Sequence, residues 1–159
     1  MLTKSTYRGI SQATIEAKLR KYERYANIKF LNAIKEQQKE LIEQINQANS
    51  ISEIANMDIE ISEIPVRNAL TNVYMVTGAD FADATIKQIE NQESKEYSKD
   101  VYMQWMKEYV ERETGKRITL ITNTTKDQFI AIVKREVDKG IADGLGIENI
   151  AKNIQQSIG

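Results

Sequence analysis

The sequence predicts an all-α, multi-helix domain with a long N-terminal helix, and three observations carry that prediction. One proline and seven glycines in 159 residues leave few helix breakers. The stretch from Ser11 to Asn49 holds neither residue and repeats its apolar positions at helical spacing. The last third alternates apolar helical runs with a glycine cluster at 140, 144 and 146. Apolar residues at 41% and charged residues at 28% fit a globular chain long enough to bury a core.

Residues 1–10 read as an unstructured lead-in. Ser11 is placed to cap the first helix, because its hydroxyl can accept from an otherwise unpaired backbone N–H. Ile15, Leu19, Tyr22, Ala26, Phe30, Ile34, Leu41 and Ile45 then recur on one face. Some 35 helical residues make a rod of about 50 Å, longer than a typical globular helix. An arm, a coiled-coil segment or a helix broken in two are the forms this length allows. Ile28, Leu31 and Ile42 fall off the main stripe and widen the apolar surface.

The segment 49–64 reads as a connection, with Ser50, Ser52, Asn56 and Asp58 favouring turns. Pro65 suits the first turn of a second helix running to about Gln92, with Ser62 or Glu63 just upstream. A polar loop follows at 91–94. Ser98 is a candidate cap for a third helix that carries Val101, Met103, Trp105, Met106, Tyr109 and Val110 and ends at Gly115. Ile118–Thr122 is β-branched and compatible with an extended strand, although no partner strand is evident. Thr124 with Asp127 three residues later resembles a capping box, which makes Thr124 the expected cap of a fourth helix. Ile147, Ile150, Ala151, Ile154 and Ile158 mark the last helix. The expected division is 1–49, lead-in and long helix, and 50–159, a helical domain. An end point so close to an apolar face suggests a piece of a longer protein.

The chemistry available is narrow. There is no cysteine, so thiol nucleophiles, disulfides and thiolate metal sites are excluded. There is no histidine, which removes the commonest general base and transition-metal ligand. No apolar run approaches the roughly 18 residues that span a bilayer. The N-terminal residues lack the apolar stretch of a secretory signal, so a non-secreted chain without a membrane partner is expected.

Charge is unevenly distributed. Residues 1–35 carry a net +6, residues 36–113 a net −9 and the remainder +2. The basic run includes Lys18, Arg20, Lys21, Arg24 and Lys29, with Tyr22 and Tyr25 among the charges. Lys18, Lys21, Tyr22 and Arg24 are accordingly the candidate partner-binding residues, although a solvated helix face is the simpler reading and Tyr22 also lies on the apolar stripe. An acidic protein surface or DNA phosphate would be the matching ligand.

Gly140, Gly144 and Gly146 match neither a Walker loop nor a dinucleotide fingerprint, and they read as a helix C-cap and tight turn. Asp138, Asp143 and Glu148 near them, and Asp80 and Asp83, lack the ligand spacing of a calcium loop and read as solvated carboxylates. Trp105 with Tyr102 and Tyr109 forms an aromatic ridge on one helix, expected to pack into the core. No catalytic residue, metal or cofactor is expected.

One resemblance adds a functional expectation. The order Tyr102–Val110, Ile121-Thr-Asn-Thr-Thr125, Gly140 to Gly146 and Ile147 to Ile154 resembles the phage head morphogenesis family, the minor head proteins of Mu-like phages and prophages. The likeness covers mainly 102–158. Gly146 stands where many of that family would place a small polar residue, and the arginine-rich segment expected downstream is absent. The resemblance implies a structural minor head protein acting in capsid assembly at the portal, located in the virion head or the bacterial host cytoplasm. It supplies no catalytic residues to carry over. Portal or other head proteins, and a further copy of the chain, are the implied partners. The alternatives are a helical DNA-binding module using the basic first helix, or a non-catalytic domain attached to an enzyme or toxin.

Overall fold

Two very long helices, packed side by side with shorter ones, organise the computed structural model. It describes residues 12–90 and 99–159, with the side chains of 81–103 outside the description. The elements are α1 (Gln12–Gln47), α2 (Ile51–Ala55), α3 (Ile64–Glu90), α4 (Lys99–Ala142) and α5 (Ile147–Ile158). No strand occurs among the described residues. The architecture is all-α with a long N-terminal helix. The expected caps Ser11 and Ser98, the polar loop at 91–94, and the side chains of Asp83 and Tyr102 lie outside the described residues.

The first helix is not a free arm. α1 runs against α3, and its C-terminal half enters the main core. There Leu41 and Ile45 meet Ile54 of α2, Ile59, Phe129, Val133 and Val137 of α4, and Ile150 and Ile154 of α5. The core thus joins residues on both sides of position 49. A second, smaller cluster unites Ala33 of α1, Val66 and Ala69 of α3, and Ile118 of α4. Gln37, fully buried, separates the two. Its Nε2 donates to the Ser62 carbonyl at 3.0 Å and toward Thr122 Oγ1 at 3.4 Å, while its Oε1 finds no protein donor. A buried amide so placed favours one pairing of α1 with α4 over slipped alternatives.

α4 overturns three expectations at once. Gly115 does not end a helix, Ile118–Thr122 is not extended, and Thr124 caps nothing; all lie inside one 44-residue helix. The reason is a continuous buried face. Val110, Thr114, Ile118, Thr122, Thr125 and Phe129 are spaced three or four apart and are all buried. The threonines also satisfy themselves within the helix. Thr124 Oγ1 donates to the Leu120 carbonyl at 2.8 Å and Thr125 Oγ1 to that of Ile121 at 3.0 Å. Against that packing, the roughly 1 kcal/mol that a helical glycine costs is too small to break the rod.

The connection after α1 is tied down by side chains. Ser50 caps α2, its Oγ accepting from Glu53 N at 3.1 Å, while Glu53 Oε2 accepts from Asn49 N at 2.7 Å. Gln44 clamps the next segment reciprocally, donating to the Glu60 carbonyl at 2.7 Å and accepting from Glu60 N at 3.0 Å. Ser62 Oγ accepts from Ile64 N at 3.1 Å at the start of α3, and Pro65 is buried in the first helical turn. Arg67 bridges α3 to α4, its Nε 2.7 Å from Glu111 Oε1. That carboxylate lies off the N–H direction, so the contact is an ion pair rather than an aligned hydrogen bond.

Candidate functional site

The basic face of α1 is the first place where the sequence points to a partner. Lys21 and Arg24 are exposed and Lys18 is half-buried. Tyr22 does not belong with them. It is 6% exposed, and its hydroxyl donates to Asp80 Oδ2 of α3. Tyr22 sits near 100° round the helix from Lys21, so it faces the neighbouring helix while the lysine faces out. Burial first, then the bond to Asp80 and its negative charge, push the Tyr22 hydroxyl up to about 12. Tyr22 is a structural contact, and Asp80 is its acceptor rather than one of a free pair of carboxylates. Lys29 lies over the Tyr25 ring at 5.4 Å, so a second tyrosine of the run is also engaged.

The outward face of α1 carries more than the predicted cations. Lys21, Arg24, Ile28, Leu31 and Lys35 follow one another at alternating spacings of three and four, which puts them in a single seam. All five are exposed, Ile28 and Leu31 each at 58%. No acidic residue stands three or four positions from any of them along the helix. An apolar centre flanked by cations is the result. The sequence had assigned Ile28 and Leu31 to a widened apolar face; the packing leaves them to solvent.

A second surface of opposite charge lies beyond the core end of the same helix. Glu40 and Glu43 of α1, with Asp58, Glu60 and Ile61 of the following connection, line a groove of about 510 Å³. Among the described residues no lysine or arginine lines it. Its shape follows from the Gln44–Glu60 clamp and from Glu40 Oε2, which accepts from Ser62 N at 2.9 Å. Sequence reading missed this groove because its carboxylates come from two segments some fifteen residues apart.

The glycine cluster forms the α4–α5 turn. Leu145 N donates to the Gly140 carbonyl at 2.8 Å and Gly144 N to that of Ile141 at 3.2 Å, the pair of bonds that closes a helix C-terminus in a Schellman motif. Gly144 has φ of +68°, a left-handed conformation that suits glycine. Gly146 is the N-cap of α5 and makes no side-chain cap bond. Gly140 lets α5 approach closely, since a Cβ there would lie 2.4 Å from Ile150 Cγ1. Ser157 Oγ donates to the buried Glu136 at 2.9 Å and Gln38 Nε2 to the Ile158 carbonyl at 3.0 Å, fastening α5 to α4 and α1.

Trp105 and Tyr109 of the aromatic ridge do not enter the core. Trp105 is 62% exposed and Tyr109 is exposed beside Tyr74, with ring centroids 6.2 Å apart. Asp138 and Asp143 are solvated. Among the described residues no cluster of three or more acidic side chains could hold a metal ion, and no helix is long and apolar enough to cross a membrane. Comparison with protein-family models, with characterised proteins and with solved structures yields no match to this chain.

Proposed function

We propose that this chain is a structural minor head protein of a phage or prophage, acting in capsid assembly by holding the portal. The observation that carries the reading is the α4–α5 hairpin. Two of the four stretches on which the resemblance rests, Gly140 to Gly146 and Ile147 to Ile154, build the turn, the close helix approach and the buried Ile150 and Ile154, whereas Ile121 to Thr125 lies inside α4. In this reading α5 and the end of α4 give a rigid base, and the exposed cations of α1 supply the contact. The chain works through surfaces, without a reaction centre or cofactor. Complementary fields between such a basic face and an acidic partner steer association and fix its orientation.

The test is capture of the cognate portal protein by the immobilised chain at about 0.05 M and about 0.5 M salt. Wild type should retain portal at the lower salt, and Lys21→Glu with Arg24→Glu should retain much less while keeping its helical circular dichroism. Lys18 is left in place because it is half-buried. No capture by wild type at either salt would overturn the portal reading. Equal capture by both proteins would remove the basic face from it. Displacement of portal by duplex DNA, with affinity falling steeply as salt rises, would transfer the face to the DNA-binding alternative.

A further inference from the structure

We infer that the outward seam of α1 docks into the acidic groove of a second copy of this chain, so that copies associate head to tail. The inference shares Lys21 and Arg24 with the proposed portal contact but does not rest on that reading, since it uses only the two surfaces of this chain. Each surface is incomplete alone. The seam presents Ile28 and Leu31 to water between Lys21 and Arg24 on one side and Lys35 on the other, none of these cations in an ion pair. The groove presents Glu43, Asp58 and Glu60 around the half-buried Ile61, and none of these carboxylates has a cationic partner. An apolar centre with a basic rim thus matches an apolar floor with an acidic rim, the arrangement expected of a protein interface. Phosphate would satisfy the cations but leave Ile28 and Leu31 in water, so the pattern favours a protein partner over nucleic acid.

The two surfaces cannot meet within one chain. Ile28 and Glu43 are fifteen residues apart on one continuous helix, about 22 Å along its axis. At about 100° per residue the seam lies on the side of α1 away from Glu40 and Gln44. A two-fold axis pairs displaced surfaces reciprocally only where both face the same partner, and the Glu40–Gln44 side of the groove faces away from the seam, with Glu43 at its nearer edge. The contact is heterologous, so it propagates or closes into a ring rather than stopping at a dimer. The seam from Lys21 to Lys35 spans about 21 Å, at the small end of specific interfaces. Affinity weaker than about 1 μM and marked salt sensitivity are expected.

Analytical ultracentrifugation of the purified chain alone tests this. Wild type should show mass rising with concentration beyond a dimer at about 0.05 M salt and falling back toward monomer at about 0.5 M. A seam variant (Arg24→Gln, Ile28→Ser, Leu31→Ser) and a groove variant (Glu43→Gln, Asp58→Asn, Glu60→Gln) should each raise the apparent dissociation constant at least tenfold. Glu40 is kept in the groove variant because it holds Ser62 N. All substituted side chains are exposed, so both variants should keep wild-type helicity and melting. Mixed in equal amounts, they should form a one-to-one pair that does not grow, because one intact seam then meets one intact groove. A wild-type monomer at every concentration, wild-type association in either variant alone, or a mixture without the pair would overturn the inference. Since no portal is present, these outcomes are independent of the capture experiment.

Discussion

Replacing Gly140 by alanine should loosen the α4–α5 hairpin, and the structure sets the size of the effect. An added Cβ would sit 2.4 Å from Ile150 Cγ1 and 2.7 Å from Cδ1, where ordinary carbon contacts need about 3.5–4.0 Å. Ile150 is fully buried, so relief takes either a new rotamer in filled space or a separation of the helices by about 1 Å. Overpacking of this kind costs up to about 3 kcal/mol, and alanine returns about 1 kcal/mol through its better helix propensity. The net is a loss of about 2 kcal/mol, or about 4–8 °C in Tm for a chain of this length. Gly115 is the internal control. It lies in the same helix, its Cβ would meet nothing within 4 Å, and Gly115→Ala should stabilise by about 1 kcal/mol. Urea unfolding followed by circular dichroism reads both variants through the midpoint at constant slope. In an Ile150→Ala background the Gly140→Ala penalty should shrink, giving a coupling that a general helix effect would not produce. Stabilisation of both glycine variants by similar amounts would refute the close approach.

The other stability predictions follow from the corrected helix and from Tyr22. Thr124→Ala should change stability by no more than about 0.5 kcal/mol, in the stabilising direction, because Thr124 is an exposed helix-interior residue; a loss near 1 kcal/mol in thermal unfolding would restore the cap reading. Gly144→Ala should cost about 1–2 kcal/mol, since φ of +68° strains any residue with a Cβ, and equal melting of variant and wild type would count against that geometry. Tyr22 has its hydroxyl raised from 10.0 to about 12 in the fold. The unfolded chain therefore releases this proton first, so the stability is fully present below pH 10 and is lost as pH rises through about 12. The difference is worth about 2–3 kcal/mol at most, and Tyr22→Phe should flatten the alkaline limb relative to wild type; parallel limbs in both proteins would contradict the part-buried Tyr22–Asp80 bond.

How far the sequence was legible depends on whether local chemistry and packing agree. The length of α1, a connection within 49–64, Pro65 and the 140–146 glycines were readable because each rests on a local rule that the fold keeps. α4 was misread because its local signals, Gly115, a β-branched run and Thr124 before Asp127, all argue for interruption. The face that overrides them includes Thr114, Thr122 and Thr125, which a search for apolar spacing skips. Gln37 escaped for the same reason: a fully buried amide looks polar on paper. Trp105 erred the other way, its apolar surface pointing to a core although its side of α4 meets solvent. At the candidate surfaces, Lys21 and Arg24 were legible as charge, while their continuation through Ile28 and Leu31 and the opposing groove required the packing that leaves them exposed.

A minor head protein has to be found in the particle, so quantitative mass spectrometry of purified head particles decides the proposed role. Particles prepared before and after DNA filling, from an induced lysate of the strain that carries the gene for this chain, would be compared with the unassembled fraction. In the proposed role this chain is present in the heads at low copy relative to the major capsid protein, rising and falling with the portal across gradient fractions. Absence from head particles at both stages, with the chain recovered only in the unassembled fraction, would contradict it.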